Sequence, residues 1–147
     1  MPAAKELDEE THGRILRLSE AGDARMAARD PKAAIELFQG AFALVPEPYE
    51  EWDASLWLLA ALGDAYFLDG QHEAARTAFA QAMRVPGAIG NPFLHLRVGE
   101  AQLERGDEGR AVDELLRAYM GAGEEIFADE DAKYLAFLRR NVDLQGP

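Results

Sequence analysis

Three carboxylates stand at the same place in a phrase that this chain repeats. They are Asp23 in Ala21-Gly22-Asp23-Ala24, Asp64 in Leu62-Gly63-Asp64-Ala65 and Glu100 in Val98-Gly99-Glu100-Ala101. Carboxylates in equivalent positions can pair with Lys or Arg on a ligand, and that is the chemistry these residues offer most directly. Catalytic groupings are harder to assemble. His12, His72 and His95 are far apart, and the adjacent His72 and Glu73 are not a metal-spaced pair. Ser19 and Ser55 are the only serines and have no His–Asp partners in view, and there is no cysteine for a thiolate nucleophile or metal ligand. Gly87-Ala88-Ile89-Gly90 lacks the Gly-x-Gly core of a phosphate loop. The expectation is a protein that is not an enzyme and holds neither metal nor cofactor.

The carboxylates are positioned by a longer pattern. Twelve residues after each glycine comes an alanine (Ala34, Ala75, Ala111), four further on a large apolar residue (Phe38, Phe79, Leu115), and three beyond that another alanine (Ala41, Ala82, Ala118). The offsets hold in all three copies although the copies start 41 and then 36 residues apart. Helical periodicity accounts for them: Leu56, Leu59, Leu62 and Tyr66 share one helix face, and Ala75, Phe79, Ala82 and Met83 share another. Asp69-Gly70 and Arg105-Gly106 read as helix stops, while Asp30-Pro31 and Asn91-Pro92 carry a capping side chain followed by proline at the first helical position. Each copy is therefore a pair of helices. Gly22, Gly63 and Gly99 are expected to face Ala34, Ala75 and Ala111 where the two helices meet, with Phe38, Phe79 and Leu115 filling the space between successive pairs.

Leu62-Gly63-x-x-Tyr66, Gly70, Ala75, Phe79 and Ala82 together resemble the tetratricopeptide repeat, a 34-residue helix–turn–helix unit. The outer copies are degenerate: Arg25 and Gln102 stand where the tyrosine belongs, and Leu18 and His95 replace the large first-helix anchor. The closing proline is Pro46 in the first copy, comes one residue early as Pro86 in the second, and gives way to Gly121-Ala122-Gly123 in the third. The resemblance spans about residues 15–123. It implies an all-α, right-handed solenoid of the tetratricopeptide type in one domain over 1–147. Repeat 1 is placed at about 12–46, repeat 2 at about 49–86 and repeat 3 at about 91–123. The seven extra residues of the first interval are expected to lengthen the first helix of repeat 2, with Pro48 near its start. Tyr134, Leu135, Phe137 and Leu138 mark a capping helix at about 129–140.

In the family, the first helices of successive pairs line a concave surface where ligands lie. Carried onto this sequence, that surface presents Asp23 and Met26 from repeat 1, Asp53, Trp57, Asp64 and Phe67 from repeat 2, and Phe93, Arg97 and Glu100 from repeat 3. Acids flanked by aromatics suit a basic, partly apolar protein segment. Family members that grip a terminal carboxylate use Lys, Asn and Arg in this groove. The matching positions here are Ser19, Asp23, Asp64, Phe93 and Arg97, so an acidic peptide tail is not the expected ligand.

Composition agrees with that choice. The net charge of −12 is the summed charge of three patches, residues 1–10, 45–55 and 124–131, and the remainder is neutral. Lys and Arg do not cluster, so nucleic acid is not an expected partner. The longest apolar run, about Leu56 to Gly63, is too short for a membrane span, and the acidic start does not resemble a secretory signal, so a cytoplasmic protein is expected. The functional expectation is a module that binds protein. Secretion chaperone, toxin neutraliser and self-associating scaffold remain open as its role, and so does its oligomeric state.

Overall fold

The computed structural model describes residues 7–145, and these form seven α-helices, two 3-10 turns and no strand. The chain divides into two compact units, with the boundary between Ile89 and Gly90. The first unit contains α1 (Glu9–Ala27), α2 (Pro31–Phe42), α3 (Asp53–Leu68) and α4 (His72–Ala82). The second contains α5 (Pro92–Glu104), α6 (Glu108–Ala122) and α7 (Ala132–Asn141). In sequence terms, α1–α2, α3–α4 and α5–α6 are the three repeats, and α7 is the capping helix.

The helix ends are set by the residues that the sequence marked. Asp30 accepts a hydrogen bond from Ala33 N at 3.3 Å, with Pro31 opening α2, and Asn91 accepts from Leu94 N at 3.2 Å, with Pro92 opening α5. Each such cap is worth about 1 kcal/mol. Asp8, at the start of α1, accepts from Thr11 N at 2.8 Å and from the Thr11 hydroxyl at 3.1 Å. At the other end, Gly70 and Gly106 sit seven residues after the repeat glycine with φ of +80° and +85°. Copy one has Arg29 there, in the same left-handed region at φ +61°. Asp30-Pro31 starts the following helix but does not relieve that requirement.

The residue nearest to each repeat glycine is not the alanine. A Cβ placed on Gly22 would lie 2.5 Å from Cε1 of Phe38, and one on Gly63 would lie 2.5 Å from Cε1 of Phe79. On Gly99 it would come within 2.7 Å of the Leu115 side chain and 3.0 Å of its backbone nitrogen. The large side chain thus lies directly over the glycine of its own pair, a contact additional to the expected one between pairs. Phe38 also serves the second purpose, since it shares a buried cluster with Leu62 and Ala65 of α3. Burying such a ring fully is worth about 1.5–3 kcal/mol. The small residues Ala34, Ala75 and Ala111 are buried and let the helices come near enough for the ring to reach.

The insertion before repeat 2 does not simply lengthen a helix. α3 begins at Asp53, and the preceding residues form a 3-10 turn over Tyr49–Glu51. This connector is pinned by Tyr49, whose hydroxyl donates to the Gln81 carbonyl at 3.1 Å and whose own carbonyl accepts from the Ser55 hydroxyl at 2.7 Å. The Tyr49 ring meets Phe42 edge-on, with centroids 5.8 Å apart. Tyr49 and Trp52 pack with Leu7 and Trp57 around a buried cluster of Ile15, Ala41, Val45, Ala54 and Leu58. An aromatic-rich insertion gains more by covering that cluster than by adding exposed helical turns.

In the second unit, α6 ends at Gly123 (φ +78°), a 3-10 turn spans Glu124–Phe127, and Asp131 caps α7 by accepting from Lys133 N at 3.0 Å. α7 buries Tyr134, Phe137 and Leu138, with Leu135 half-buried, as its periodicity anticipates.

Candidate functional site

Within the first unit, the face expected to bind is built on α1 and α3. Asp53, Trp57 and Asp64 recur at four and seven residues along α3 and so share one side of it. Asp53 is exposed in the first helical turn, while Asp64 and Phe67 are half-buried. Trp57 is also half-buried, resting on the cluster around Ile15 and Leu58. Its ring, with Leu7, Glu9, His12, Asp53 and Ala54, lines a pocket of about 220 Å³. On α1, Asp23 is exposed, and Met26 is half-buried against the cluster that holds Phe38 and Leu62. Phe67 is partly engaged already, its ring tilted by 55° against His72 at 5.1 Å. Ser19, assigned to the same stripe, is instead buried in the packing of the pair.

The second unit uses its expected site residues differently. Glu100 is 1% exposed and accepts from Arg97 Nη1 at 3.0 Å. The same Arg97 nitrogen forms an ion pair with Glu130, and the guanidinium lies 4.8 Å from the Phe93 ring centroid. Burial pushes the Glu100 carboxyl far above the usual carboxylate range, and the neighbouring Glu130 adds to the rise against the opposing effect of Arg97. One guanidinium is shared by two carboxyl groups, and burial favours the protonated form of Glu100. Glu100 is thus buried rather than exposed in a groove, and Arg97 links α5 to the segment leading into α7. Phe93 remains 43% exposed beneath the guanidinium.

A second polar tie joins the same elements, and repeat periodicity gave no sign of it. Glu104 accepts from the Tyr134 hydroxyl at 2.7 Å and pairs with Lys133 at 2.5 Å. The spacing that hides it is long-range, 30 residues between Glu104 and Tyr134. His95 fills a packing position, 4% exposed, with its Nε2 accepting from Gly90 N at 3.0 Å. That leaves Nδ1 to carry the proton and donate to Glu114 Oε2 at 2.5 Å.

Several acids in the charged patches have local duties. Asp8 and Asp131 are caps, Glu47 accepts from Tyr49 N at 3.3 Å, and Glu124 pairs with Arg139 at 2.5 Å. Two hydrogen bonds from Thr11 hold Asp8 below the usual carboxylate range. Among the described residues no three His, Asp or Glu side chains converge in a metal-binding group, and no helix is long and apolar enough to cross a membrane.

Against this geometry, residues 14–86 match the family model of the tetratricopeptide repeat. Solved structures with the same fold include the Yersinia enterocolitica type III secretion chaperone SycD in complex with a peptide of the translocator YopD. It has a TM-score of 0.70 at 17% identity, covering 90% of this chain and 95% of that one. PcrH from Pseudomonas aeruginosa aligns with a TM-score of 0.68 at 21% identity, over 91% of this chain and 93% of its own. The second tetratricopeptide domain of human RPAP3, in complex with an HSP70 peptide, aligns with a TM-score of 0.68 at 17% identity, over 88% and 96%. No curated protein sequence matches the chain.

Proposed function

We propose that this chain, a tetratricopeptide-repeat protein of all-α helix–turn–helix fold, is a non-catalytic module that binds a basic, partly apolar segment of another protein on the acidic and aromatic face of its first unit. The observation that carries the reading is the set Asp23, Asp53, Asp64, Trp57 and Met26 on the first helices of two successive repeats, with Asp23 and Asp53 exposed. The carboxylates would pair with Lys or Arg of the partner, and Trp57 and Met26 would supply apolar area around those pairs. Peptide complexes of the similarly folded SycD and RPAP3 domains support use of this fold to hold a segment. Glu100 and Arg97, engaged inside the second unit, carry no part of the binding.

The test is a pair of labelled peptides of identical apolar content, one with lysines and one with glutamates at the same positions. Fluorescence anisotropy should show saturable binding of the lysine peptide and at least tenfold weaker binding of the glutamate peptide (about 1.4 kcal/mol). Equal binding of both would remove the electrostatic basis of the reading.

One observation favours a second reading, a chaperone that holds a segment of a secreted protein. The likeness to SycD and PcrH extends over 95% and 93% of those chains, so it is not confined to a single repeat. A chaperone of this kind would bind an apolar peptide without basic residues as tightly as the lysine peptide.

A further inference from the structure

The pocket bounded by Leu7, Glu9, His12, Asp53, Ala54 and Trp57 has a composition of its own. Its floor is apolar: Ala54 is 5% exposed, and Leu7 and Trp57 both rest on the cluster around Ile15 and Leu58. Its rim is polar, with Glu9 in the first turn of α1, Asp53 in the first turn of α3, and His12 one turn along α1. About 220 Å³ is below the roughly 300–1,000 Å³ of sites that take a small-molecule ligand or cofactor, and it suits a single long side chain.

Charge decides which side chain. Glu9 and Asp53 bring two negative charges, while the amino-terminal ends of α1 and α3 each bring a partial positive charge of about one half. The balance is about one negative charge beside a tryptophan ring, which suits one monovalent cation with an aliphatic stem. An anion would meet both carboxylates, and a purely apolar side chain would bury them without a partner.

We propose that this pocket is the anchor site for one Lys or Arg side chain of the partner protein: the stem lies on Trp57 and Leu7, and the charged head lies between Glu9 and Asp53. The inference rests on the binding face proposed above and names its recognition element. Asp23 and Asp64 then contact charges further along the bound segment.

The probe is n-butylammonium, a lysine side chain without its backbone, with n-butanol as the uncharged counterpart. The full chain is labelled with nitrogen-15, and the two indole N–H resonances, Trp52 and Trp57, are followed by NMR. Butylammonium should move the Trp57 resonance saturably, and butanol at equal concentration should not. Glu9→Gln and Asp53→Asn should each weaken the response by about three- to tenfold, while Asp129→Asn, a charge change in the other unit, should leave it intact. Equal responses to both probes would overturn the proposal by making the pocket merely apolar. No response of Trp57 would overturn it as well. A response that emerges only in Lys5→Ala would overturn it by making the chain's own lysine the occupant.

The lysine peptide, titrated into the same variants, separates this inference from the reading beneath it. Peptide binding that is undiminished in both Glu9→Gln and Asp53→Asn overturns the anchor while the binding face stands. A Trp57 response to butylammonium with no peptide binding supports the pocket and overturns the face.

Discussion

At the scale of single residues, Arg29 is the clearest departure from what its neighbours in the repeat do. It holds the left-handed conformation that Gly70 and Gly106 supply in the other copies, and a side chain with a Cβ is strained there by about 1 kcal/mol. Arg29→Gly should raise stability by about that amount and lift Tm by several degrees, measured by thermal melting; a lower Tm would contradict the assignment. Glu100 makes the opposite kind of statement, about pH. Its folded carboxyl titrates above the value of 4.5 that an unburied Glu has. The native state therefore binds a proton more readily than the unfolded one. The stability this contributes is complete below about pH 4.5 and is lost as pH rises towards the raised folded value. Glu100→Gln keeps the neutral form at every pH, so denaturation curves should show it matching the parent near pH 5 and surpassing it increasingly towards pH 9. A parent that gains on the variant with rising pH would show Glu100 ionised and held by Arg97. The left-handed φ of Arg29 is a local helix ending that alignment with Gly70 and Gly106 makes legible, whereas the burial of Glu100 beside Arg97 and Glu130 is a long-range feature that the repeat register does not show.

At the scale of elements, the helix pairs were legible almost throughout. Asp30-Pro31, Asn91-Pro92, Asp69-Gly70 and Arg105-Gly106 act through their immediate neighbours, so their consequences can be read locally. The packing inside a pair was only half legible. Equal offsets identify which residues meet but not which atom lies over which, and Phe38, Phe79 and Leu115 proved to cover the glycines themselves. Gly63→Ala would put a methyl 2.5 Å from the Phe79 ring, which must then leave its place between α3 and α4. A loss of about 1–3 kcal/mol is expected in urea denaturation at unchanged m. If Gly63→Ala melts like the parent, the ring is not fixed by that contact. The insertion escaped periodicity for a different reason. Tyr49 and Trp52 gain more from packing on the cluster around Ile15 than from extending α3, and a tertiary contact of that kind leaves no local signal.

At the scale of the whole molecule, net charge is the property that connects sequence to partner. The −12 is concentrated in three patches, but capping and ion pairing occupy Asp8, Asp131, Glu124 and Glu130 within their own units. Left exposed on the proposed face of α1 and α3 are Glu9, Asp23 and Asp53, and the attraction they would exert on a basic segment is screened over about 10 Å at 0.1 M salt. The placement of Asp23, Asp53, Trp57 and Asp64 on the first helices of repeats 1 and 2 follows from the repeat register alone. The surroundings of Arg97 and Glu100 in repeat 3 do not, because Glu130, which pairs with the same Arg97, lies beyond the last repeat. The most direct test of partner binding through these carboxylates is a titration of the lysine peptide into the parent and into the Asp23→Lys, Asp53→Lys double variant, with helicity and Tm measured on both. The expected result is an affinity at least tenfold lower in the double variant, with unchanged helicity and melting and with preference transferred to the glutamate peptide. An unchanged affinity for the lysine peptide in a folded double variant would contradict it.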